Sequence, residues 1–166
     1  MKIQLLCGPV ASGKSTYSQN AAKTGVICLN DDALVNMFHG NIYTLYQPQL
    51  KLLYKSVENH IISTVLAMQG TILIDRGLNI GLESRKRFIA LAKSFDAQIE
   101  AIVFEKEKPE VHAMRRFQSD ARGHDFQYWL DVANYHEILY VAPSIEEGFD
   151  KVSFISYDQI QTGIVL

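Results

Sequence analysis

Eight consecutive residues near the start of the chain, Gly8-Pro9-Val10-Ala11-Ser12-Gly13-Lys14-Ser15, place two glycines, a lysine and a hydroxyl at the spacing G-x-x-x-x-G-K-[ST]. Glycines at those places let a backbone curl until successive amides face one anion, and the lysine adds a point charge. An apolar run, residues 3–7, precedes the loop, and a helix-compatible stretch from Lys14 to Lys23 follows it. Loop amides and a helix N-terminus therefore converge on anionic oxygens, as phosphate binding requires. In that arrangement Lys14 reaches the β- and γ-phosphates of a nucleoside triphosphate, expected to be ATP. The Ser15 hydroxyl is expected to bind Mg²⁺, and Thr16 to meet the α-phosphate.

Three acids are candidates for the rest of the chemistry. Asn30-Asp31-Asp32 follows a second apolar run. One acid there suffices to cap a helix, whereas moving a phosphoryl group to a hydroxyl needs a carboxylate that orients the hydroxyl and takes its proton. Asp32 is expected in that role and Asp31 as the cap or an outer group. Asp75 ends the run Ile72-Leu73-Ile74 and is expected to hold the Mg²⁺ hydration shell, the alternative being a strand-end acid satisfied by turn amides.

Negative charge spreads over the oxygens of a phosphoryl group in transfer, so a cation beyond Lys14 is required. Arg122, beside Gly123 in the polar stretch 120–125, is expected to close over it as part of a lid at about 115–126. Arg116 is grouped with the residues that meet the nucleotide, and with Arg115 it can anchor the lid. A solvated face is the alternative for all three arginines. Arg85 and Arg87 read better as helix-surface charge than as contacts to an acceptor's phosphates. Tyr43, Tyr46 and Gln47 suit either a stacking wall for a base or ordinary packing. No histidine has zinc-ligand spacing with cysteines or acids.

The elements that must position these groups follow from alternation. Short runs rich in Ile, Val and Leu at 3–7, 26–29, 71–75, 98–104 and 152–155 read as strands, and 14–23, 33–38, 48–68, 82–95, 109–117 and 126–139 as helices. In 48–68, Leu50, Leu53, Tyr54, Val57, Ile61, Val65 and Leu66 form a core-facing stripe. The alternation predicts an α/β fold of the P-loop NTPase type: a three-layer sandwich with a mostly parallel five-stranded sheet, helices on both faces and a short lid. With 166 residues and 48% apolar content, residues 1–166 are expected to form a single domain.

Sixteen Lys and Arg against 18 Asp and Glu give no reason for broad binding to duplex nucleic acid. The N-terminal apolar stretch is too short for a signal peptide, and no run approaches the ~18 apolar residues of a membrane span. Cys7 and Cys28 both lie in apolar segments and are expected to be reduced, which with the rest points to a cytoplasmic protein.

Several segments together resemble the kinase domain of polynucleotide 5′-hydroxyl kinases and their small P-loop relatives. They are Gly8 to Thr16, Leu29-Asn30-Asp31-Asp32, Ile74-Asp75 with Leu78-Asn79, Arg116 to Arg122-Gly123, and Ala142-Pro143-Ser144-Ile145-Glu146-Glu147-Gly148-Phe149-Asp150. The resemblance implies Asp32 as general base, the loop Lys and Ser on ATP and Mg²⁺, and Arg122 on the transferring phosphoryl. Three departures stand out. The arginine that a bacteriophage member uses three residues after its base, to hold the acceptor's phosphate, is Val35 here, with Arg76, Arg85 or Arg87 as substitutes. The Asp-Thr-Asn after the third strand is Asp75-Arg76-Gly77, and the Arg116 to Arg122 gap is longer than usual.

The expected activity is transfer of the γ-phosphate to a hydroxyl at the 5′ end of a single-stranded polynucleotide, any companion phosphatase or ligase lying on another chain. The alternatives are a kinase for a small acceptor (nucleoside, nucleotide, sugar or antibiotic) and a nucleotide-dependent regulatory domain. No pattern speaks to the number of chains that assemble.

Overall fold

The computed structural model describes residues 1–76, 79–120 and 123–164. Its centre is β1 (Lys2–Cys7), in which every side chain from Ile3 onward is buried on both faces, as a strand inside a helix-covered parallel sheet must be. The chain continues through α1 (Lys14–Lys23), β2 (Ile27–Asn30), α2 (Asp31–Phe38), 3₁₀ turns at Tyr43–Leu45 and Pro48–Leu50, α3 (Lys51–Ala67) and β3 (Thr71–Asp75). Then come α4 (Leu82–Ser94), β4 (Gln98–Phe104), α5 (Pro109–Gln118), α6 (Phe126–Leu139), a 3₁₀ turn at Ile145–Glu147, β5 (Lys151–Ile155) and α7 (Tyr157–Gln161).

The strands lie in the order β2-β3-β1-β4-β5, and each pairing is parallel. Register sets Asn30 opposite Asp75 at the carboxyl ends of β2 and β3. Strand alternation divides the core. Ile3, Leu5, Ile72, Ile74, Ala101 and Val103 pack with Ile62 and Leu66 of α3 and Phe88 of α4, whereas Leu6, Leu73, Ile102 and Phe104 pack with Tyr17 of α1 and Ile160 of α7. A smaller cluster joins α5 to α6 through Ala113, Trp129 and Ala133, with Val10 of the glycine loop against it. Cys7 is buried, Cys28 half-buried, and both are free thiols.

The expected α/β sandwich is present, with differences at its edges. The helix after β2 begins at Asp31 rather than residue 33, because Asn30 is the cap and accepts from Ala33 N at 3.0 Å. Asp31 is therefore not the cap. The expected helix 48–68 divides into a 3₁₀ turn and α3. Its buried stripe is Tyr54, Glu58, Ile62, Val65 and Leu66, rotated from the expected one and carrying an acid. The short α7 was not anticipated.

Arg85 corrects the expectation of surface charge. It is 0% exposed. Its Nε donates to Glu147 Oε2 at 2.8 Å, Nη2 to Glu147 Oε1 at 2.6 Å, and Nη1 to the carbonyls of Asn79 and Val141. The Pro-x-x-Glu-Glu-Gly-Phe segment supplies that partner. Ser144 and Glu147 form a capping box, Gly148 takes φ 109°, and Phe149 enters the core. Arginine's planar fork suits such a bidentate pair, and burial makes either partner costly to remove.

Candidate active site

The glycine loop lies between β1 and α1, and its backbone curls through Ala11 at φ 52° and Gly13 at φ 99°. A Cβ at Gly13 would stand 2.8 Å from Ile160 Cδ1, and one at Gly8 would stand 2.7 Å from Ser12 Oγ and 2.8 Å from Phe104 Cβ. Close approach to Phe104 Cβ demands glycine at position 8, and the left-handed φ demands it at position 13. Lys14 is 8% exposed, and its Nζ donates to Gly8 O at 2.8 Å, Pro9 O at 2.6 Å and Ser12 Oγ at 3.4 Å. Burial pushes its pKa down to about 8, with Asp75 the largest opposing influence.

The loop is held from α6. Val10 N donates to His136 Nδ1 at 3.1 Å. Burial, with help from Lys14 and His112, pushes His136 down to about 4, so the ring is neutral at ordinary pH and accepts this bond. His112 on α5 is likewise lowered by burial, and its Nε2 accepts from Glu107 N at 3.1 Å.

At the β2–β3 end, Asn30 both caps α2 and donates from Nδ2 to Asp75 Oδ2 at 3.2 Å. Asp75 is 5% exposed; burial raises its pKa against the pull of Lys14, Asn30 and a hydrogen bond from Ser15. An alcohol and a carboxylate in contact beside a buried ammonium are hard oxygen donors that fit Mg²⁺. No cluster of three His, Cys, Asp or Glu among the described residues makes a metal cage, so phosphates and water would complete the coordination.

Asp31 and Asp32 occupy the first turn of α2. Arg76 Nε meets Asp31 Oδ2 at 3.2 Å, and Arg76 Nη1 meets Glu58 Oε2 at 3.2 Å. Arg87 Nη2 pairs with the same Glu58 oxygen. Burial pushes Asp31 up to about 6; Arg76 opposes this, while Asp32, Glu58 and Asp75 add to it.

One cleft of about 780 Å³ gathers these groups. Lys14, Ser15, Thr16, Asp31, Asp32 and Asp75 line it, together with Arg115 and Arg116 from α5 and Tyr43 from the first 3₁₀ turn. Arg115 lies over the Tyr157 ring at 3.8 Å and Arg116 over Trp129 at 4.8 Å. Tyr43 stacks on Tyr46, ring centres 6.4 Å apart and 14° from parallel, while Gln47 is exposed. Arg122 lies outside the described residues. On either side of it, Asp120 Oδ2 accepts from His124 N at 2.9 Å and Trp129 Nε1 at 3.1 Å.

His136, Trp129, Tyr128, Ser119 and Tyr157 also line the cleft, and the sequence did not single them out. A signal existed for two of them. Trp129, Ala133 and His136 fall on one buried helical stripe, where a histidine needs a polar partner.

No helix among the described residues is long and apolar enough to cross a membrane. No curated protein matches the sequence. Among solved structures, a candidate kinase from Chloroflexus aurantiacus j-10-fl has TM-score 0.67 at 15% identity over 93% of this chain and 84% of that one. A sugar kinase from Janibacter sp. HTCC2649 has TM-score 0.60 at 13% identity over 99% and 90%. A fungal RNA kinase has TM-score 0.62 at 17% identity over 93% of this chain but 38% of that one. Identities this low establish a shared, kinase-like P-loop fold. A family model described as an AAA domain matches residues 3–134, most of the chain, and the protein belongs to that family.

Proposed function

We propose that this protein is an ATP-dependent phosphotransferase that moves the γ-phosphate to a hydroxyl of a small acceptor. The observation that carries this is one cleft lined by Lys14, the contacting pair Ser15 and Asp75, and Asp32 in the first turn of α2. A loop that cradles phosphates needs no acid at the neighbouring strand's helix, whereas proton removal from an acceptor does.

Each group has a task. Lys14 exchanges the carbonyls of Gly8 and Pro9 for phosphate oxygens, which restores to its ammonium the charge partner that burial denies it. The N–H groups of Ala11, Ser12 and Gly13 line the phosphates, Gly8, Pro9 and Val10 shape the loop around them, and Thr16 meets the α-phosphate. Ser15 and Asp75 would hold Mg²⁺, which when bound neutralises charge on the β- and γ-oxygens. Arg115 and Arg116 approach the nucleotide from α5. Asp32 orients the acceptor hydroxyl and takes its proton, and Arg122 covers the transferring group.

ADP release measured against a panel of hydroxylated acceptors tests this, with Asp32→Ala alongside. Acceptor-stimulated release that collapses in the variant is expected. If no acceptor stimulates release, or the variant keeps full rate, the reading falls.

A polynucleotide 5′-hydroxyl is the second reading. The family resemblance and the tyrosine stack beside Asp32 favour it. Against it, Val35 is buried and all three substitute arginines are committed: Arg85 to Glu147, Arg76 to Asp31 and Glu58, and Arg87 to Glu58. Label transfer from γ-labelled ATP to 5′-hydroxyl oligonucleotides decides between the two.

A further inference from the structure

Val10 of the glycine loop packs against Ala113 of α5 and against Trp129 and Ala133 of α6. Each of those helices also carries a buried histidine, His112 on α5 and His136 on α6. Backbone amides, which only donate, place the proton on both rings. Val10 N donates to His136 Nδ1 at 3.1 Å, so that ring carries its proton on Nε2. Glu107 N donates to His112 Nε2 at 3.1 Å, so this ring carries its proton on Nδ1. Burial favours the neutral form of both; Arg115 adds to this at His112, and Lys14 at each of them. His112 Nδ1 is buried and makes no full hydrogen bond, yet the Ala11 backbone acts on the ring as an acceptor. Opposite tautomers thus address neighbouring residues, one ring taking the N–H of Val10 and the other set against the backbone of Ala11.

Ala11 is where the loop needs outside support. Its φ of 52° lies in the left-handed region, which is costly for a residue with a Cβ and persists only where the surroundings impose it. The ties from Lys14 to Gly8 O and Pro9 O do not last, because the lysine gives them up to phosphate. Contacts from α5 and α6 remain. We propose that His112 and His136 are positioning residues that hold the Val10–Ala11 turn of the glycine loop in its phosphate-receiving shape before nucleotide arrives. The proposal rests on the phosphotransferase reading for the loop's role as phosphate cradle and on no particular acceptor.

The test compares His136→Leu, which cannot accept from Val10 N, with His136→Asn, whose Oδ1 stands near the place of Nδ1 and can. His112→Leu probes the other ring, and denaturant unfolding shows which variants are folded. Calorimetry reads the Kd for MgADP, and amide exchange reads protection of the segment 8–13. His136→Leu is expected to weaken MgADP by about tenfold and to speed exchange in that segment, while His136→Asn recovers most of both. His112→Leu should shift both in the same direction.

Either leucine variant, if folded, decides the matter. MgADP affinity within about twofold of the unaltered protein, with exchange unchanged, overturns the proposal. So does a folded His136→Asn as weak as His136→Leu, since a ring that only fills space is not replaced by an acceptor. Those results leave the phosphotransferase reading standing, whereas an unaltered protein that binds no MgADP removes both together.

Discussion

The two ends of the cleft hold their arginines in different ways. Toward β5, Arg115 and Arg116 lie on the faces of Tyr157 and Trp129, and Arg115 also meets Glu107 Oε1 at 3.5 Å. Toward β2, Arg76 and Arg87 are tied to carboxylates, one of them deeply buried. A guanidinium on a ring keeps its in-plane N–H donors for another partner, whereas one held by an acid has spent them. The difference is one of degree: Arg115 shares its charge with a part-exposed acid at 3.5 Å, whereas Arg76 and Arg87 meet a buried one.

The largest effect is expected away from both ends, at the buried pair that ties α4 to the turn before β5. Arg85→Met leaves Glu147 buried without its partner and is expected to cost about 3–5 kcal/mol of stability, read by denaturant unfolding. A variant as stable as the unaltered protein would contradict this. Asp32→Ala addresses the β2 end only: turnover should fall about 10²–10⁴-fold while the calorimetric Kd for MgATP stays within about twofold. Arg115→Ala addresses the other end, where loss of one ring-stacked cation should raise the nucleotide Kd by about 5–30-fold and leave the acceptor KM in place.

The smallest effect is that of pH. Lys14 has a pKa of about 8 without nucleotide, and phosphates raise it, so binding above pH 8 must take up a proton. The lysine's contribution to affinity is therefore complete below pH 8 and declines above it, by less than about tenfold per pH unit. Calorimetry at pH 7 and 9 reads this directly, and an affinity that rises with pH would contradict it.

Much of this was legible in the residues. β3, β4, α1 and α6 have the expected bounds, because continuous apolar runs and helical spacing stop at glycines or polar residues there. The start of α2 was misread since Asn30, Asp31 and Asp32 can all cap, and only the hydrogen bond to Ala33 N distinguishes them. Arg85 and His136 were missed for a different reason. Each lies in an apolar helical stripe, Arg85 with Phe88, Ile89 and Ala92, and His136 with Trp129 and Ala133. Their partners are remote: Glu147 lies 62 residues from Arg85, and Val10 lies 126 from His136. Spacing announces that such a residue is buried, but what it binds depends on how the chain closes.

That closure governs the order in which the protein matures. Gly13 packs beneath Ile160, and Val10 gives its amide to His136. Synthesis runs from the glycine loop toward its two props, with 126 residues separating Val10 from His136. The loop is therefore made without these contacts and takes its packed shape only after α6 and α7 have followed it.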